Sequence, residues 1–227
     1  METMVLRTVL CAAAGAIACP ASKAWALKLL KDRDLKYFYT KKQEWLTALC
    51  MVLAGGIMGL LLSNPLRIIA CLLLLTVAAV ITRTDCSSRI IPNQAVLAVF
   101  GLKLVLSLPV LAGAAGLPPF SFFDSFVGLA ACFVLFSLPD LFGKNVGAGD
   151  IKLAASMGFL LGIYSSLYAV VIMGMLIVFI YKILMRTPVL MFLSEQIPMG
   201  PFIAAGMLAV YTGSEYLSLM AGIPAAI

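Results

Sequence analysis

The chain has 227 residues, 63 % of them hydrophobic and 11 % charged, with a mean hydropathy of +1.10; a soluble domain is roughly half apolar and about 25 % charged. One soluble core cannot hide that much apolar surface, which excludes disorder, a collagen-like fibre, a disulfide-stapled secreted module and an ordinary cytosolic enzyme. What remains is an all-α, polytopic membrane helix bundle, in which the formal charge of +6 reads as basic cytoplasmic loops and not as nucleic-acid binding.

A spanning helix needs about 20 mainly apolar residues, and segments of that kind fall at 4–26, 45–63, 66–81, 94–112, 120–142, 151–164, 167–185 and 202–219. The expectation is about eight transmembrane helices, with seven possible. The first segment could instead be a signal peptide, since Arg7 precedes a short apolar run and Ala16-Ile17-Ala18-Cys19 loosely resembles a lipoprotein cleavage site. The sixth is short and could tilt, or end early at Gly162. Asn64-Pro65, Leu117-Pro118-Pro119 and Gly162-Ile163-Tyr164 read as tight turns between spans.

Charge orients the bundle. With the amino terminus outside, the inside loops are 27–44, 82–93, 143–150 and 186–201. With their flanks they hold Lys28, Lys31, Arg33, Lys36, Lys41, Lys42, Arg83, Arg89, Lys144, Lys152, Lys182 and Arg186, twelve of the sixteen basic residues. Such a bias marks the cytoplasmic side. Outside there is little beyond Arg67, with Arg7 near the terminus. The loop 28–44 reads as an interfacial amphipathic stretch.

Histidine is absent, so no Ser–His triad, Cys–His dyad or HExxH zinc site can be built. The six cysteines, at 11, 19, 50, 71, 86 and 132, form no CxxC pair and read as small buried hydrophobes. No metal and no cofactor is expected. Acids are costly in a membrane bundle and mark candidate sites. Glu2, Asp32, Asp34, Glu44, Glu195 and Glu215 fall in loops or at span ends, where solvation is the default. Asp124, Asp140, Asp85 and Asp150 remain. Asp140, in Leu138-Pro139-Asp140, reads as a helix-end acid, and Asp124 as a possible partner for Lys103 in the fourth span.

Asp85 follows the third span, and Asp150 precedes the sixth in Gly147-Ala148-Gly149-Asp150-Ile151-Lys152. Two spans separate them, and an even number returns the chain to the same side. Two carboxylates at close range cannot both ionise easily; one takes a proton from water while the other, protonated, polarises a carbonyl. Peptide hydrolysis needs nothing more. The competing reading of the segment is structural: a Gly-rich turn followed by an acid that complements a helix dipole.

Gly147-Ala148-Gly149-Asp150-Ile151-Lys152-Leu153 resembles the GxGDxKL segment of prepilin peptidases. Asp85, followed by Ile91-Pro92-Asn93, is similar to that family's first motif, and Ile197-Pro198-Met199-Gly200-Pro201-Phe202 to its PFGP run before the last span. Presenilins and signal peptide peptidases share a GxGD, but their YD and PAL motifs are absent here. The resemblance implies a membrane aspartic endopeptidase with Asp85 and Asp150 as its catalytic pair, roles of acid and base unassigned. Around them Gly147, Gly149, Lys152, Pro92, Asn93, Pro198, Gly200 and Pro201 would shape the site, Lys152 more as an interfacial anchor than as a chemical group. The implied partners are a prepilin or pseudopilin helix and the bilayer, with the site facing the cytoplasm. Residues 1–65 then form two N-terminal spans and 66–227 the peptidase core. Many family members also methylate the new pilin terminus and carry a long cysteine-bearing loop after the first span. Here that loop is short and holds no cysteine, so a methyltransferase activity is not expected. The alternatives are a related GxGD protease that cuts other membrane-anchored signal segments and, from other classes, a small transporter or an assembly scaffold. A transporter would show midplane charges and repeats, whereas here the acids gather at one surface, no repeat is visible and only Lys103 lies near a span's middle.

Overall fold

The computed structural model describes residues 2–111, 121–143, 146–184 and 198–221. Among them are eight helices and no strand: α1 (Glu2–Lys31), α2 (Lys41–Leu61), α3 (Pro65–Ser88), α4 (Asn93–Leu111), α5 (Phe122–Leu141), α6 (Ala148–Leu161), α7 (Ile163–Leu184) and α8 (Gly200–Ala221). Each expected span corresponds to one helix. Helices α1, α2, α3, α5 and α7 are long and apolar enough to cross a membrane, and α4 is a shorter apolar helix. The protein is a multi-pass membrane bundle. The expected turn at 117–119, together with Lys144, Arg186, Glu195 and Ile197, lies outside the described residues.

Local chemistry sets the boundaries. Thr40 and Gln43 form a reciprocal capping box at α2, and Asn64 accepts the Leu66 N–H ahead of α3, with Pro65 at its first position. Helix α3 runs past the apolar stretch that ended at 81, so Asp85 is helical and does not follow the span in a loop. The Thr82 and Thr84 hydroxyls bond back to the carbonyls of Ala78 and Val80. The helix stops at Arg89, which is left-handed (φ 53°) and donates its N–H to the Asp85 carbonyl. Helix α6 ends early, as its length suggested. Gly162 (φ 78°) separates it from α7, in a conformation L side chains rarely adopt, and a Cβ there would strike the Asp124 carboxylate.

Two helices are central. About half of the α3 span is buried, against 11–22 % for α1, α2, α5 and α7, and in α6 Ile151 and every residue from Leu153 to Leu161 is buried. Helices α4 and α8 each pack against both. The outer helices turn Val5, Leu6, Ile17, Phe123, Phe133 and Met175 outward, as a lipid-facing surface requires. Close crossings rest on small residues. Gly15 and Gly55 bring α1 and α2 backbone to backbone, and Gly128 and Gly158 do the same for α5 and α6.

Candidate active site

Each central helix carries one of the two aspartates at the same end of the bundle. Asp85 sits in the last turns of α3 and is 5 % exposed. Its Oδ2 accepts the backbone N–H of Gly200, the first residue of α8, across 2.8 Å. A helix N-terminus presents unpaired N–H groups and a positive dipole end, which suits a carboxylate. Gly200 is required for space: a Cβ would lie 2.7 Å from that oxygen and 3.1 Å from Ile81 Cγ2.

Asp150 stands in the first turn of α6, behind a Gly147 cap that offers no side chain. A Cβ at Gly147 would come within 2.7 Å of Asp150 Oδ2, and one at Gly149 within 3.1 Å of Ile91 Cβ. The glycines therefore let the carboxyl fold back over the turn and let the Asp150 segment press against Ile91. Asp150 Oδ1 is buried and has no hydrogen-bond partner among the described residues. Burial, reinforced by the Asp85 carboxylate, pushes the Asp150 carboxyl up to about 6.

Both aspartates line one cavity of about 340 Å³. Gly147, Gly149, Lys152 and Asn93 line it too, joined by Arg33, Arg89 and Ile91. Gly200 reaches the site through its N–H, whereas Pro92, Pro198 and Pro201 are not part of the wall. Lys152 is exposed at the rim and makes no ion pair among the described residues.

Arg33 was not legible as a site residue. The segment 32–40, read as part of an interfacial stretch, is docked on the end of α3. The Phe38 N–H donates to Ser87 Oγ (2.7 Å), and Ser88 Oγ donates to the Lys36 carbonyl (3.1 Å). Glu44, expected to be solvated, and Arg83, counted among the basic residues of the inside loops, form an ion pair at 3.1 Å in which Arg83 is fully buried. The other acids stand apart. Asp140 is exposed and tethers the approach to Gly147 by accepting the Val146 N–H at 2.7 Å. Asp124 accepts the Ile163 N–H at the start of α7 and acts electrostatically on the buried Lys103.

The type IV leader peptidase family matches residues 69–183, just over half of the chain and inclusive of both aspartates. A prepilin leader peptidase/N-methyltransferase from Bacillus subtilis (strain 168) is 29 % identical over 170 residues, covering 74 % of this chain and 63 % of that protein. This chain thus spans less than two thirds of that relative's length. No solved structure matches. With both aspartate segments inside the matched region, the chain belongs to the type IV leader peptidase family.

Proposed function

We propose that this protein is an aspartic endopeptidase that removes the leader of a prepilin or pseudopilin at the cytoplasmic surface of the membrane. The observation that carries the reading is the convergence of Asp85 and Asp150, one from each central helix, on a single cavity. Sidedness rests on the basic residues Arg33, Arg89 and Lys152 around that cavity.

The surroundings of the two carboxyls support a division of roles. The Gly200 N–H donates to Asp85 Oδ2, an arrangement suited to the charged form. The buried Oδ1 of Asp150, without a hydrogen-bond partner among the described residues, suits the carboxyl that keeps the shared proton. Asp85 then takes a proton from a water whose oxygen attacks the scissile carbonyl carbon. Asp150 donates its proton to the carbonyl oxygen as the π bond opens. In the collapse of the tetrahedral intermediate, Asp85 returns its proton to the leaving amine nitrogen, the C–N bond breaks, and Asp150 recovers its proton from the re-forming carbonyl. Every proton is accounted for, and only carboxylates and water take part.

Incubating the purified protein with a prepilin and following loss of the leader by gel shift and mass spectrometry tests the proposal. A precursor left intact under conditions where the protein is folded would contradict it.

A further inference from the structure

The geometry points to a second function for the N-terminal helices: through Glu44 and Arg83 they position the Asp85 carboxylate, making Arg83 a positioning residue of the peptidase. This inference rests on the role of Asp85 proposed above.

Arg83 and Asp85 are two residues apart on α3. At about 100° per residue they point to opposite faces. Asp85 faces α8 and the cavity, while Arg83 faces α1 and α2. The guanidinium is fully buried, with Nη2 3.1 Å from Glu44 Oε2 and 3.2 Å from Cys19 Sγ, and Nη1 2.5 Å from Ser22 Oγ. Glu44 gathers two further groups on Oε1: Lys23 Nζ at 3.1 Å and the Tyr37 hydroxyl at 2.6 Å. Burial and that hydrogen bond hold the Tyr37 phenol protonated well above its usual range, so the donor persists at any working pH.

The arrangement ties three parts of the chain to one turn of α3. Ser22 and Lys23 come from α1, Tyr37 from the 32–40 segment, Glu44 from α2 and Arg83 from α3. The same turn is held again by Phe38 on Ser87 and by Ser88 on Lys36, and the docked segment brings Arg33 to the cavity wall. Buried ion pairs contribute little net stability but are costly to break singly, so their effect is to restrict where the helix can sit. Holding the end of α3 on the Arg83 face fixes the direction in which Asp85 points on the other. Placement matters because an error of about 1 Å at a reacting group can cost roughly a hundredfold in rate. Ser22, Lys23, Tyr37 and Glu44 all precede the family-matched segment that begins at residue 69, so the N-terminal pair of helices completes a site whose aspartates lie elsewhere.

The test uses the full chain carrying Arg83→Lys, Glu44→Gln, or the pair Glu44→Gln with Arg83→Met. The double variant leaves no uncompensated buried charge and keeps the test open if the single variants fail to fold. Two quantities are read: kcat and KM on a prepilin, and the alkylation rate of the native, half-buried Cys86, resolved by mass spectrometry. Because Cys86 neighbours Asp85, its rate reports the placement of that turn without any catalysis. The expected result is a kcat lowered about tenfold or more with KM within about twofold, and Cys86 alkylated several times faster, in the folded double variant as well. Asp85→Asn should abolish cleavage. An unchanged kcat, or an unchanged Cys86 rate, in the folded double variant overturns the inference. If the wild type cuts no prepilin, the proposed function fails, and the Cys86 rate alone decides the positioning role.

Discussion

Gly200 donates its backbone N–H to Asp85 Oδ2 across 2.8 Å, and a methyl group at position 200 would lie 2.7 Å from the same oxygen. The start of α8 and the end of α3 are thus fitted to each other through one hydrogen bond that only glycine leaves room for. Gly200→Ala should lower kcat by roughly a hundredfold through displacement of the carboxylate, with the protein still folded. Gly101→Ala, where the added carbon meets nothing within 4 Å, is the matched control and should retain activity. Steady-state rates of the two purified variants, beside their melting temperatures, check this.

The Asp150 carboxyl, pushed up to about 6, gives a pH dependence with a definite sign. On the proposed mechanism the working state holds one proton between the two acids, so kcat/KM should be bell-shaped. Its alkaline limb, set by loss of that proton, should fall near pH 6 in the free enzyme. Substrate that covers the cavity deepens the burial, which moves the limb in kcat to higher pH. Stability follows the opposite course to that of a salt-bridged aspartate. A folded-state value above the unfolded one (about 3.9) means that ionised Asp150 opposes folding above pH 6 and ceases to do so as pH falls towards 4. Asp150→Asn should therefore melt higher than the wild type at pH 8, with the difference shrinking by pH 5. An equal or lower melting temperature at pH 8 would mean that the carboxylate is well solvated.

Apolarity made the helices legible, and the even span count placed Asp85 and Asp150 at one end. The continuation of α3 to Ser88 was not legible, because hydropathy reads Arg83-Thr84-Asp85-Cys86-Ser87-Ser88 as loop, while threonine back-bonding and burial keep it helical. Nor were the burial of Arg83 or the place of Glu44. A charged side chain near a span end looks solvated until its partner, 39 positions away, is seen. The segment from Pro198 to Pro201 drew notice only as a motif; its physical purpose, an N–H aimed at Asp85, requires the tertiary structure. Arg33 left no signal beyond charge, since its place on the cavity depends on how 32–40 docks.

Orientation in the membrane is checked by thiol labelling. Asn93→Cys and Ala148→Cys lie exposed at the aspartate end of the bundle, and Ser63→Cys is exposed at the other end of α3. With the other cysteines removed, positions 93 and 148 should react with an impermeant reagent from the cytoplasmic side, and position 63 from the opposite side. Labelling of 93 and 148 from opposite sides would separate the two aspartates and remove the site.

The segment joining α1 and α2 runs from Asp32 to Thr40 and has no cysteine. Nine residues cannot fold into a domain of their own, and no zinc ligand set of about four Cys or His side chains can come from them. Purified protein given prepilin and labelled S-adenosylmethionine should yield mature, unlabelled pilin, and EDTA should leave the cleavage rate unchanged. Label on the new amino terminus would place a methyl-transfer site within the helical bundle itself.

The most direct test of the two-aspartate account is prepilin cleavage by purified wild type, Asp85→Asn and Asp150→Asn, in a preparation free of endogenous peptidase. Loss of either carboxyl removes a proton donor or acceptor that no other carboxyl among the described cavity residues replaces, so each variant should lose about a thousandfold or more in kcat. Both should insert and fold normally. Asp140→Asn, which keeps the oxygen that accepts the Val146 N–H, should cleave at close to the wild-type rate. Robust cleavage by either Asp85→Asn or Asp150→Asn would contradict the account.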